Sequence, residues 1–311
     1  MTLAEIQIAA VGDLMVKRYI ISDAKLPNGR YSFDSLFTKV TPYLKRADLT
    51  IGNLETTFAG RTRKKRDIFR KSRGPLFNCP DELAPALKRA GFDVLITANN
   101  HCMDYGAAGL FRTLRILNQN GIDHTGTFNS LEASKEYLVK EIKGIKIGIL
   151  SYTTGVNGIA LPKSKPWMVN LVQIKNLLQD IHNLKKKVDL VIIYMHFGKE
   201  YSHTPDLRQK QIVNLLFKHG ANIILGSHPH VLQPSVQRGK KQFVIYSLGN
   251  FISTKLKNNP HTQRSVILNI TVKKDEEGKI SIKSYRCIPT LVQRKLKNDR
   301  KATEVIPIRA K

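Results

Sequence analysis

"VDLVIIYMHFGKEYSHTPDLRQKQIVNLLFKHGANIILGSHPH", residues 188–230, decides the fold class. Its opening run VDLVIIYM (188–195) is apolar apart from Asp189 and of strand length. The segment DLRQKQIVNLLFKHG (206–220) has the spacing of a helix, and ANIILG (221–226) is a second short apolar run. Strands that are apolar on both faces lie inside a sheet covered by helices, so the stretch reads as a β-α-β unit of an α/β fold. Each strand breaks off into polar residues, the first into His196, Glu200 and Tyr201, the second into His228 and His230.

The same rhythm runs outward in both directions. IQIAAV (6–11), DLTIGN (48–53), FDVLITA (92–98), EYLVKEI (136–142) and KIGILSY (146–152) read as strands. FDSLFTKVTPYLKRA (33–47), PDELAPALKRAG (80–91), about 105–120 and about 170–186 read as helices, the second with acids in its first turn and Gly91 as its stop. After Gly239 the pattern changes: KQFVIYSLGNFI (241–252), QRSVILNITVKK (263–274), a DEEG turn and KISIKSYRCI (279–288) read as successive antiparallel strands. The expectation is one domain, residues 1–311, built as two packed sheets flanked by helices. Its C-terminal strands fall within 263–288, and Lys255–His261 is a flexible connector.

Lys and Arg number 51 against 24 Asp and Glu, a formal charge of +27. A field of that sign attracts polyanions, whether nucleic acid, an anionic envelope polymer or a phosphorylated substrate. GRTRKKRDIFRKSRG (60–74) carries eight of the basic residues and reads as an exposed loop, a lip that gathers anionic substrate. No helix-turn-helix, zinc-finger or RNA-binding signature accompanies the charge, which disfavours nucleic acid as partner. Three scattered cysteines give neither a disulfide framework nor a CxxC metal site. With no secretory leader and no apolar stretch of membrane-spanning length, the chain as given reads as soluble and cytoplasmic.

In open α/β sheets ligands sit beyond the carboxyl ends of the strands, so the residues found there carry the chemistry. In chain order they are Asp13, Asn53 with Glu55, Asn99 with Asn100 and His101, His196 with Glu200 and Tyr201, His228 with His230, and Asn250. Carboxylates, imidazoles and amide oxygens together suit Mn, Zn or Fe better than Ca, and the lack of thiolates argues against a closed structural zinc site.

The ordered series GDLM, NLE, ANNHCMDYG, HFGKEYxxxP, GSHPHVLQP and SLGNF, spread from about Ile8 to Ile252, resembles the CapA family of poly-γ-glutamate capsule synthesis proteins. That family is related to the calcineurin-like metallophosphoesterases, whose layers run α-β-β-α. The resemblance implies a pair of divalent metal ions. Asp13 and His230 would hold the first, Asn100, His196 and His228 the second, and Glu55 would bridge them. It gives His101 the role of acid or leaving-group guide, and Asn53, Asn99, Glu200, Tyr201 and Asn250 supporting or substrate-facing roles. Phosphoesterases usually begin with Asp-x-His; here Met15 stands two after Asp13 and leaves the first site one imidazole poorer. Phe197 stands where the family often has Trp, and Cys102 where a small residue is usual.

Two functions fit these residues. One is a metal-dependent hydrolase of a phosphoester or of an anionic polymer such as poly-γ-glutamate. The other is a non-catalytic, polyanion-binding accessory of a polyglutamate synthase, working alongside the synthase subunits. Family members commonly carry a membrane anchor ahead of the first motif, whereas this chain begins almost directly on its first strand.

Overall fold

The structure, a computed structural model, describes residues 2–61, 74–297 and 300–309. Most of the basic stretch 60–74 therefore lies outside the described residues.

One sheet has eight strands: β1 (Thr2–Leu14), β2 (Leu49–Asn53), β3 (Val94–Ile96), β4 (Asp123–Thr125), β11 (Asn250–Ile252), β12 (Arg264–Asp275), β13 (Ile280–Lys297) and β14 (Arg300–Pro307). Its order is β14-β13-β12-β1-β2-β3-β4, with β11 pairing β1 beside that path. The other has six: β5 (Leu138–Ile142), β6 (Ile145–Thr153), β7 (Leu190–His196), β8 (Ile223–Ser227), β9 (Leu232–Arg238) and β10 (Gln242–Leu248), in the order β5-β6-β7-β8-β10-β9. β1 to β4 run parallel, as do β6, β7, β8 and β10. Two sets of carboxyl ends thus come together.

The period of two along each strand produces the layers. Ile6, Ile8 and Ala10 of β1 turn toward Ile192 and Tyr194 of β7 and form one apolar layer between the sheets. Their neighbours Ala9 and Val11 pack instead with Phe37, Leu83, Leu87 and Leu117 on the outer face of the eight-stranded sheet. Val191, Ile193 and Met195 pack outward with Leu177, Ile181, Val213 and Leu216 on the other side. Four layers result, helix, sheet, sheet and helix. A hydrogen bond from the Tyr194 hydroxyl to the Val11 carbonyl oxygen, 3.0 Å, ties the sheets beside the site.

Among the described residues the helices are α1 (Tyr19–Asp23), α2 (Asp34–Phe37), α3 (Thr41–Leu44), α4 (Leu83–Ala90), α5 (Gly106–Gln119), α6 (Ile174–Lys185) and α7 (Leu207–His219). The helix expected over 33–47 is two single turns, because Pro42 opens the second and cannot continue the first. α7 begins with a capping box: Asp206 accepts from the Gln209 backbone N–H and Gln209 returns a bond to the Asp206 N–H. It ends on Gly220 at φ 112°, a left-handed position that suits glycine.

The region after β8 differs from expectation in three ways. Residues 241–252 are not one strand: β10 lies in the six-stranded sheet, and β11 has crossed to pair with β1 in the other. The antiparallel ladder reaches Pro307 rather than stopping at 288, with β14 at its edge. β9, unforeseen, pairs antiparallel with β10. The stretch 255–261 forms a tight turn that leads into a 3-10 turn, Pro260–Gln263. Among the described residues no helix is long and apolar enough to cross a membrane.

Candidate metal centre

The strand ends bring all of the expected residues toward one edge. In the β-ladder Asp13 is paired with Asn53 on β2 and with Asn250 on β11. Gly12 permits this closeness: a Cβ there would lie 1.8 Å from the Gly249 carbonyl oxygen. That carbonyl accepts the Asp13 N–H at 3.0 Å.

Glu55 sits at the middle and is fully buried. Its Oε1 lies 4.0 Å from His101 Nε2, 3.9 Å from His196 Nε2 and 3.9 Å from His230 Nε2. Among the described residues neither of its carboxylate oxygens has a hydrogen-bond donor. Burial, then the neighbouring Asp13 carboxylate, pushes the Glu55 carboxyl well above its usual range. A buried carboxylate without partners is costly.

Asp13 is also buried but supplied with partners. The Asn53 amide donates to its Oδ1 at 2.7 Å, and its Oδ2 lies 3.3 Å from His230 Nδ1. Burial opposes its charge, yet the His230 bond, the nearby imidazoles and the Asn53 amide hold its carboxyl down to about 2. His230 Nδ1 also lies 3.0 Å from Asn250 Oδ1, so its other face is turned toward Glu55.

On the other side His196 Nε2 lies 2.9 Å from Asn100 Oδ1 and 3.2 Å from His228 Nδ1, with His196 Nδ1 on Ser227 Oγ at 2.9 Å. Burial drives the His196 imidazole well below its usual value, and burial with the His230 charge takes His228 down to about 4. Both rings are therefore neutral near pH 7, the form in which imidazole binds a metal. His228 and His230 have φ values of 97° and 61°, strained positions for residues with side chains, which is common where a site dictates the backbone.

His101 packs flat on Phe77, ring centroids 3.9 Å apart, and its Nδ1 lies 2.8 Å from Asp104 Oδ2. Asp104 and Asn157 were missed by sequence reasoning. The first lies inside the quoted ANNHCMDYG, where the three-residue spacing was the available signal. Asn157 comes from the loop after β6, with Oδ1 accepting from Asn100 Nδ2 at 3.2 Å and Nδ2 3.4 Å from His101 Nε2, and no local pattern marks it. Asn99 braces the loops, donating to Asn53 Oδ1 at 3.1 Å and to the Leu54 carbonyl at 2.8 Å. Tyr201 stands with its ring 6.0 Å from that of His230, and its backbone N–H bonds the Pro229 carbonyl.

Two groupings have donor atoms within 4.8 Å of one another, Asp13 with Glu55 and His230, and Glu200 with His228 and His230. Glu200, expected only to support the site, thus offers a carboxylate directly. The orphaned Glu55 oxygens, ringed by three imidazoles and the ionised Asp13 carboxylate, fit a divalent cation, which would supply the missing partner.

Two α-covered sheets with carboxylates and imidazoles at their joined carboxyl ends define the calcineurin-like metallophosphoesterase fold. The solved NAD nucleotidase NadN of Haemophilus influenzae shares it, at a TM-score of 0.53 and 16% identity, over 99% of this chain and 60% of that one. The chain belongs to the bacterial capsule synthesis protein PGA_cap family, whose profile matches residues 7–255. It is similar to the capsule biosynthesis protein CapA of Bacillus anthracis, 32% identical over 246 residues, 78% of this chain and 58% of that protein. It is similar also to the PGA biosynthesis protein CapA of Bacillus subtilis, 30% identical over 276 residues, 88% of this chain and 69% of that protein. The chain thus spans between half and seven-tenths of the length of these relatives.

Proposed function

We propose that this protein is a metal-dependent hydrolase acting on a phosphoester or on an anionic polymer such as poly-γ-glutamate, in the course of capsule or polyglutamate synthesis. The observation that carries the reading is Glu55, a carboxylate buried without a hydrogen-bond donor among the described residues and faced by three imidazoles. Asp13 and His230 would hold one divalent ion, Asn100, His196 and His228 a second, with Glu55 between them and Glu200 within reach of the His228 and His230 side. Ions suited to this ligand set are Mn, Zn or Fe, which when bound would supply Lewis-acid activation of the scissile group and of the attacking nucleophile.

The chain's own residues do the rest. Asp104 accepts from His101 Nδ1 and so fixes which ring nitrogen is turned toward Glu55. His101 then gives a proton to the leaving group. Asn53, Asn99 and Asn250 hold Asp13, the Glu55 turn and His230 in place. The excess of basic residues draws in the anion. Residues 1–311 act as one domain in this reading. Three cysteines that are all free support a reducing, cytoplasmic setting, where the partners would be subunits of a polyglutamate synthase.

The test is hydrolysis of p-nitrophenyl phosphate, a phosphodiester and poly-γ-glutamate by metal-loaded protein, with and without chelator. Chelator-sensitive turnover of one of them is expected. The buried Met15 thioether, where an imidazole is usual, favours the second reading, a polyanion-binding accessory without turnover. Metal-loaded protein that binds poly-γ-glutamate but is inert on all three substrates would establish that instead.

A further inference from the structure

Two lysines beside the centre have no ion-pair partner among the described residues. Lys17, in the turn after β1, has its ammonium 4.2 Å from the centroid of the Phe77 ring, whose stacked neighbour is His101. Lysine and histidine thus both lie against the Phe77 ring. Lys257 has its ammonium 4.7 Å from the Tyr201 centroid, and Tyr201 is the ring next to His230. Neither ammonium has a salt bridge or hydrogen bond among the described residues.

The local backbone is shaped to hold both. Lys17 is followed by Arg18 at φ 49°, and Lys257 and Asn258 sit at φ 44° and 57° in a turn closed by the Asn259 N–H on the Leu256 carbonyl. Left-handed conformations in three residues with side chains cost free energy that an ordinary surface lysine has no need of. Lys17 is also half-buried, and burial, partly opposed by the Glu55 carboxylate, lowers its ammonium to about 8. A cation kept on an aromatic face and not locked in an ion pair remains open to an incoming anion.

We propose that Lys17 and Lys257 are two separate anion grips, one beside His101 and one beside His230, so that the ligand of this centre carries negative charge on both sides of the group it presents there. A linear polyanion satisfies this, and a small terminal monoester engages one grip only. The inference rests on the metal-centre reading above, and its test reads binding rather than turnover.

The experiment measures binding of a short oligo-γ-glutamate and, separately, of linear tripolyphosphate to the full metal-loaded chain across a salt series. Lys17→Met and Lys257→Met should each weaken binding about three- to tenfold and lower the salt slope by about one. Lys17→Arg and Lys257→Arg should restore most of it, and elemental analysis should show wild-type metal content throughout. The stronger-bound probe distinguishes a carboxylate chain from a phosphate chain. Methionine variants with wild-type affinity and slope would overturn the proposal, as would affinity lost only in step with lost metal, or a wild-type chain that binds neither probe at low salt. A chain that binds as described but hydrolyses nothing would instead overturn the hydrolase reading and leave the grips standing.

Discussion

His101 Nδ1 lies 2.8 Å from Asp104 Oδ2, three residues away, and the same oxygen accepts the Phe77 N–H at 2.6 Å. One buried carboxylate thus orients the histidine and anchors the ring stacked upon it. Asp104→Asn keeps the shape but removes the charge that favours a proton on Nδ1. The expected result is a kcat lower by about 10²- to 10⁴-fold, the range of a general acid's contribution, with metal content unchanged. Loss of metal in parallel with activity would make Asp104 a structural residue only.

Glu55 makes the metal-free protein pH-sensitive in a definite direction. Its folded carboxyl is raised above the usual 4.5, so between that value and its folded value the native state holds more protons than the unfolded chain. The Glu55 contribution to metal-free stability therefore falls as pH rises above 4.5, with a slope of at most about 1.4 kcal/mol per pH unit. Glu55→Gln should remove that slope, seen as the difference between variant and wild-type urea midpoints across pH 4.5 to 8. The same variant should lose most of the stabilisation that added metal gives the wild type. Parallel pH profiles would contradict the account.

His228 acts in the opposite sense. Its imidazole is lowered to about 4 from the usual 6.5, so its contribution is full above 6.5 and is lost as pH falls through that window toward 4. His228→Ala should flatten the acid limb of stability there, measured by the same urea midpoints.

The crossing of the chain from β10 to β11 depends on Gly12, whose added Cβ would meet the Gly249 carbonyl oxygen at 1.8 Å. Gly12→Ala must force β1 and the crossover apart, at a cost of about 3 kcal/mol or more, and should weaken metal binding through Asp13. A variant as stable as wild type would mean that this contact is not needed.

Met15 is buried, its sulfur 3.9 Å from Ser253 Oγ. Met15→His adds an imidazole beside Asp13, and isothermal titration should show tighter binding of the weaker metal, about tenfold or more. An unchanged isotherm would place Met15 outside the ligand sphere.

The order of strands and their polar ends could be read because buried parallel strands are unbroken apolar runs that stop abruptly, as at Ile193–His196 and Leu225–His228. Of the edge strands, β5 was legible as EYLVKEI (136–142), but β9 and β14 were not. β9, LQPSVQR, carries a proline, and β14, RKATEVIP, is half polar, because each has one side open to solvent and needs no apolar run. The switch at Gly249 was hidden for another reason: β10 and β11 are both apolar, and only tertiary pairing assigns them to different sheets. Asp104 stood in plain view within a recognised motif, whereas Asn157, Lys17 and Phe77 reach the centre from segments whose local sequence carries no sign of it.

The central claim is that the strand ends form a metal centre around Glu55. Elemental analysis of the purified full chain, with Asp13→Asn and His228→Ala beside it, tests this most directly. The account predicts roughly one to two ions of Mn, Zn or Fe per wild-type chain and clearly fewer in both variants. A wild-type chain that is metal-free as purified and takes up none of the three on dialysis would contradict it.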